Sequence, residues 1–252
     1  MRISFLGTGT SHGVPVIGCS CKVCKSKNPK NKRNRTSIHI KTKNTNLLID
    51  TPPEMRLELI MNNIQHVDAV LITHAHADHI MGFDDIRALN WQLGHEMPVY
   101  SDKKTLESLK RIFPYIFSKE NHGGGIPQVE LIEIKKELKI YGENIIPLPI
   151  YHGKNLILGY RIKKFAYITD CSSIPDQTKK LLTGVDYIAV DSLRYSKHPT
   201  HFSVDEAVDL INELNIKKGY LTHISHQLDH EKLNDYLPDY IEPAYDGMVI
   251  EV

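Results

Sequence analysis

Short apolar runs and amphipathic stretches take turns along most of this chain. The run Asp68-Ala69-Val70-Leu71-Ile72-Thr73 is nearly continuous in apolar residues and reads as a strand in a sheet covered on both faces. Segments whose apolar residues fall three or four apart read as helices with one buried stripe. On this basis strands are expected over 2–6, 36–42, 45–50 and 68–73, with helices over 54–63 and 80–93. Further strands are expected near 145–151, 157–162, 165–169, 186–191 and 218–222, helices near 175–183 and 203–214, and a last strand over 248–250. Such alternation predicts an α/β chain with sheets buried between helices. No repeat or low-complexity linker divides it, so residues 1–252 are expected to form one domain. The pattern is weakest from about 94 to 140. Within that stretch, residues 118–127, with Gly123-Gly124-Gly125 before Pro127, read as a mobile loop, either a lid or a surface excursion.

Composition narrows this little. No apolar run reaches the roughly 18 residues of a membrane span, and the N-terminus runs as a strand into a glycine turn, so a cytoplasmic protein is expected. Lys+Arg 31 against Asp+Glu 30 names no partner by bulk charge. Locally, Lys22 to Arg35 holds seven basic residues and no acid. That stretch is either a solvated loop or a rim that attracts anions.

The chemistry concentrates in His74-Ala75-His76-Ala77-Asp78-His79, directly after the strand at 68–73. Side chains at the carboxyl end of a buried strand line the crevice where α/β proteins bind ligands. Three imidazoles and a carboxylate in six residues do not serve a packed core, because buried His and Asp need partners. Three more candidates stand at the exits of other apolar strands: His152, Asp170 and His223. Imidazole and carboxylate donors suit Zn, Mn or Fe. A second cluster, Cys19-Ser20-Cys21-Lys22-Val23-Cys24, offers three thiolates where a closed structural zinc takes four ligands. A redox pair or three inert thiols are the alternatives. His201 stands just before the helix at 203–214, with Ser203 as a candidate N-cap. His12 follows the first glycine turn closely enough to reach the site.

These stretches carry a resemblance. The chain is similar from end to end to the metallo-β-lactamase superfamily, and within it to the PhnP type, the phosphoribosyl cyclic phosphate phosphodiesterases. The matching pieces are Gly7-Thr8-Gly9-Thr10-Ser11-His12-Gly13-Val14-Pro15, Gly18-Cys19-Ser20-Cys21-Lys22-Val23-Cys24, the histidine cluster, Thr169-Asp170, Leu221-Thr222-His223-Ile224-Ser225-His226-Gln227 and Tyr245-Asp246-Gly247-Met248. The resemblance implies a four-layer αββα sandwich. It implies that His74, His76 and His152 hold one divalent ion (Mn²⁺ or Zn²⁺) and Asp78, His79 and His223 a second, with Asp170 bridging. It implies His226 as fourth ligand of a structural Zn²⁺ on Cys19, Cys21 and Cys24. It makes His201 the general acid, with Asp78 also essential to catalysis, and puts Arg33 and Arg35 where the family carries paired arginines, here for substrate phosphate.

The function expected is hydrolysis of a small cyclic phosphodiester by a hydroxide shared between two ions. A ribonuclease Z-like nuclease would want a protruding RNA-binding arm, and no insertion of that character is visible, so nucleic acid is not expected as substrate. A non-catalytic metal-binding protein of this fold conflicts with a full set of seven centre residues. A flavodiiron-type oxidoreductase conflicts with the missing flavin module. The sequence does not decide between monomer and homodimer.

Overall fold

The computed structural model describes residues 1–118 and 125–252. The core of the loop expected at 118–127 lies outside these residues. Among the described residues two seven-stranded sheets face each other. The first contains β1 (Arg2–Gly7), β2 (Ser37–Lys41), β3 (Asn46–Ile49), β4 (Ala69–Leu71), β5 (Met97–Ser101), β6 (Val129–Glu133) and the last strand, β14 (Val249–Glu251). Its order is β14-β1-β2-β3-β4-β5-β6, antiparallel up to β3 and parallel from β3 to β6. The second sheet contains β7 (Leu138–Ile140), β8 (Glu143–His152), β9 (Asn155–Ile162), β10 (Phe165–Ile168), β11 (Tyr187–Asp191), β12 (Lys218–Thr222) and β13 (Ile241–Pro243). It runs β13-β12-β11-β10-β9-β8-β7, and β10 to β13 are parallel.

The near-continuous apolar runs follow from this layering. In β3, Leu47 and Ile49 face the second sheet, where Leu158, Tyr160, Phe165 and Tyr167 meet them, whereas Leu48 faces the helices. Each side chain of such a strand is buried, and a fully buried Leu or Ile contributes about 1.5–3 kcal/mol. Tyr160 brings a polar tip into this core and satisfies it by donating to Ile72 O at 2.6 Å. On the outer face of the first sheet lie α1 (Met55–Met61), α2 (Ala77–Ile80), α3 (Ile86–Leu93), α4 (Lys103–Ile112) and α5 (Pro114–Phe117). The second sheet is covered by α6 (Asp176–Leu181), α7 (Val204–Glu213) and α8 (His230–Tyr236). The result is the αββα sandwich expected. Among the described residues no helix is long and apolar enough to cross a membrane.

Two differences from the sequence expectations have local causes. The helix expected over 80–93 is broken into α2, a 3₁₀ turn at Phe83–Asp85 and α3. Gly82 is pressed against the loop before α1, where a Cβ would lie 2.1 Å from Pro52 O, and its N–H bonds to Thr51 O at 2.9 Å. That outward bond takes the amide away from a continuous helix. The stretch from 94 to 140, where the pattern was weakest, holds β5, α4, α5, β6 and β7. Asp102 starts α4 by accepting the N–H of Thr105 at 2.9 Å.

Candidate metal centre

Four strand exits from both sheets converge on one point between the layers. His74 follows β4, His152 ends β8, Asp170 follows β10 and His223 follows β12. Asp170 and His223 turn off their strands with left-handed backbone, φ 53° and 57°, as does Asp50 after β3 at 65°. Asp tolerates that region and His does so less readily, so three such turns around one point mark a site whose geometry outweighs local strain. α2 begins at Ala77, which brings Asp78 and His79 to the same place.

Two groups of donor atoms share one carboxylate. His74, His76, His152 and Asp170 offer atoms all within 4.8 Å of one another, and so do Asp78, His79, Asp170 and His223. Asp170 Oδ2 faces the first group, 3.9 Å from His74 Nε2 and 4.0 Å from His152 Nε2. Its Oδ1 faces the second, 3.1 Å from His79 Nε2 and 3.4 Å from His223 Nε2. Asp78 Oδ2 lies 3.3 Å from His79 Nε2.

The outer nitrogens fix which way the lone pairs point. Thr73 Oγ1 gives its proton to Asp50, so it accepts from His74 Nδ1–H at 3.0 Å. His79 Nδ1–H donates to Asp50 Oδ2 at 2.8 Å, and His152 Nδ1–H to the Thr200 carbonyl at 2.8 Å. Each ring therefore aims Nε2 at the centre, the orientation that outer-shell partners impose on metal-bound histidines. His79 Nε2 and His223 Nε2 are buried without a hydrogen-bond partner. Buried acceptors left unpaired in this way are costly unless a cation meets them, so the donor set fits two divalent ions.

The charges point the same way. Burial opposes charge on Asp170, yet His223 and His79 outweigh it and hold the carboxyl well below its ordinary range. Burial likewise opposes charge on the two imidazoles. Asp170 and Asp78 override it at His79, which is raised well above its usual value, and Asp170 with Asp191 raises His223 to about 10. His74 moves the opposite way, pushed well down by burial and by the charge on His79. The buried carboxylates demand positive charge and recruit imidazole protons to supply it, a demand that divalent ions meet while displacing those protons.

His201 stands beside this cluster, its ring stacked on that of His223 at 4.8 Å between centroids. Its Nδ1–H donates to Asp191 Oδ2 at 2.9 Å, and the other oxygen of Asp191 lies 3.4 Å from His223 Nδ1. Asp191, His201 and His223 are also close enough to hold an ion. Cavities flank the centre on two sides. One, of about 190 Å³, is bounded by His74, His76, His152, Lys104, Ser108 and Asn155. The other, of about 420 Å³, is bounded by His201 and the segment Thr10-Ser11-His12.

The thiols belong to a separate donor group. Cys19, Cys21 and Cys24 place their sulfurs 3.3, 3.6 and 3.5 Å from His226 Nδ1. The Cys24 N–H donates to Cys21 Sγ and lowers that thiol to about 6, while burial raises Cys24 to about 11. No disulfide joins them. A Cys₃His set of this kind suits one tetrahedral zinc. Because binding free energy is also folding free energy, Cys21→Ser should lose one metal equivalent and melt at lower temperature. Metal analysis and thermal denaturation check this together.

Of the two arginines, Arg33 is put to a different use from the phosphate contact expected. It is 2% exposed and donates to Thr8 Oγ1 and the Ala244 carbonyl, bounding neither cavity beside the centre. A buried guanidinium needs acceptors, and the chain around Thr8 and Ala244 supplies them. Arg35 pairs with Glu54 and donates to the Ser11 carbonyl at 3.1 Å, at the edge of the larger cavity. Asp50 and Asp191, which orient His79 and His201, were not singled out in the sequence. Each follows or ends an apolar strand, the signal that marked Asp170.

Residues 45–224 match the model of the beta-lactamase superfamily domain. A crystal structure described as a new diphosphatase from the PhnP family is similar over the whole chain, with TM-score 0.93 and 40% identity, covering 100% of this chain and 97% of that one. An octanoyltransferase of Porphyromonas gingivalis is 37% identical over 98% of this chain, which spans about half of that protein (51%). Human short-form tRNase Z shares the fold at TM-score 0.72 and 15% identity, covering 100% of this chain and 99% of that one. The chain belongs to the metallo-β-lactamase superfamily and, within it, to the PhnP family.

Proposed function

We propose that this chain is a two-metal phosphodiesterase that opens a small cyclic phosphodiester. The observation that carries the reading is the Asp170 carboxylate shared between two donor groups, with His201 held by Asp191 beside them. In this reading His74, His76 and His152 hold one ion, Asp78, His79 and His223 the other, and Asp170 joins them. Bound there, Mn²⁺ or Zn²⁺ lowers the pKa of water and polarises phosphoryl oxygens. The chain itself does the rest. Asp50, Thr73 and Thr200 lock the rings in one tautomer. Asp191 keeps the His201 Nδ1 proton in place and fixes the ring, so that Nε2 can give a proton to the leaving oxygen. Cys19, Cys21, Cys24 and His226 hold a structural zinc that ties the first loop to the segment carrying His223.

A relative named a diphosphatase supports a phosphoryl substrate. Octanoyl transfer is not carried over. The match to that transferase covers only about half of its length, so its activity can belong to the part this chain does not match. Both sheets contribute to one centre, which supports reading residues 1–252 as one hydrolase unit. Thiols gathered for a cation suit a reducing cytoplasm. The test is metal analysis with turnover of bis(p-nitrophenyl) phosphate, 2′,3′-cyclic nucleotides, ribosyl cyclic phosphates and precursor tRNA. Two catalytic ions and hydrolysis of the small diesters alone are expected. Cleavage of precursor tRNA without small-diester turnover would give the centre to a nuclease.

A further inference from the structure

The loop between β11 and α7 carries two histidines, and only His201 has a role so far. Arg194 and Ser203 bridge the base of this loop, and the Leu193 and Val204 amides bond across it to Phe202 O and Arg194 O at 3.0 Å each. The Arg194 guanidinium donates to Ser196 O and Lys197 O at 3.1 and 2.8 Å, which stiffens the turn leading to His198. The Thr200 N–H donates to His198 Nδ1 at 3.3 Å. An amide N–H can only donate, so Nδ1 is the acceptor and the proton of the neutral ring sits on Nε2. This tautomer is the reverse of that in His74 and His152. Among the described residues Nε2 has no partner, and His198 bounds the same cavity as His201, their rings 5.2 Å apart. That cavity is also lined by Thr10, Ser11, His12 and Gln227, with no carboxylate among its described lining residues.

We propose that His198 is a specificity-determining residue for the leaving group, selecting diesters of oxygen-rich alcohols through a fixed Nε2–H donor. The inference rests on the phosphodiesterase reading, in which His201 protonates the leaving oxygen. The cavity beyond His201 then receives the leaving group. A site built to hydrogen-bond a substrate oxygen rejects analogues that lack it.

The test compares His198→Phe, which keeps a ring without the donor, with His198→Gln, whose amide restores one. His198→Phe should lower kcat/KM on a cyclic ribose phosphate by on the order of 10–100-fold, the range for a group left without its hydrogen bond. Turnover of bis(p-nitrophenyl) phosphate should stay within about twofold, and His198→Gln should recover most of the loss. Calorimetry on the metal-loaded protein should show ribose 5-phosphate weakened by His198→Phe and phenyl phosphate unchanged. Equal losses on both diesters, no loss on either, or a wild type that binds the two monophosphates alike would overturn the proposal. A wild type that hydrolyses neither diester sinks the phosphodiesterase reading instead, and the binding comparison still decides the role of His198.

Discussion

Asp170→Asn protein should fold, carry fewer than two ions at the centre and lose nearly all turnover. The substitution is nearly isosteric, and Asn tolerates the left-handed φ of 53° at this position as well as Asp does, so backbone strain does not enter. What changes is charge and denticity. One Asp170 oxygen faces His74 and His152 and the other faces His79 and His223. An amide offers one carbonyl oxygen in place of two anionic ones, so it cannot serve both donor groups. Asp50→Asn is the calibrating variant. Asp50 is buried, touches His79 Nδ1 and Thr73, and offers no atom to the centre. Removing an outer partner of this kind typically costs 10–100-fold in metal affinity or activity. The Asp170→Asn loss should exceed that range. Metal content by plasma emission and turnover at saturating metal read the two variants side by side. An Asp170→Asn enzyme that keeps two ions and stays within the Asp50→Asn range would remove Asp170 from the bridging role.

How much of this was legible in the sequence depends on whether one strand or several partners make the feature. The strand at 68–73 and the exits at His152, Asp170 and His223 could be read because a strand buried on both faces leaves a short apolar run, and a polar residue just after it stands out. The same signal was present at Leu47-Leu48-Ile49-Asp50 and at Val190-Asp191 and carried no assignment, since an acid at a strand end is equally at home in a turn. What separates them is three-dimensional: Asp50 meets His79 across 29 positions, and Asp191 meets both His201 and His223. The break at Gly82 was hidden for a related reason. Apolar spacing continues across it, and only the closeness of the Pro52 backbone makes the side-chain-free residue necessary. Arg33 and Arg35 show the limit of reading by neighbourhood. Two positions apart in sequence, one is buried under the first turn and the other pairs with Glu54 and donates to the Ser11 carbonyl.

His201→Ala should separate proton donation from every other part of the site. In the proposed reaction the ions supply the nucleophile, so a side-chain acid matters in proportion to how badly the leaving group leaves. A ribosyl alkoxide needs its proton as the bond breaks; p-nitrophenolate does not. The geometry suits the task. Asp191 fixes Nδ1–H at 2.9 Å and the ring stacks on His223, which leaves Nε2 as the nitrogen available to a substrate, and His201 lines the cavity proposed for the leaving group. The variant is therefore expected to lose about 10²–10⁴-fold on a cyclic ribose phosphate, the usual span of general acid–base catalysis. Its loss on bis(p-nitrophenyl) phosphate should be far smaller. Metal content should not change, although Asp191, His201 and His223 lie close enough together to hold an ion. A matching loss on both substrates with metal intact would make His201 a positioning residue. A missing ion would make it a ligand, and His223 would then be shared between two sites rather than paired with Asp78 and His79 alone.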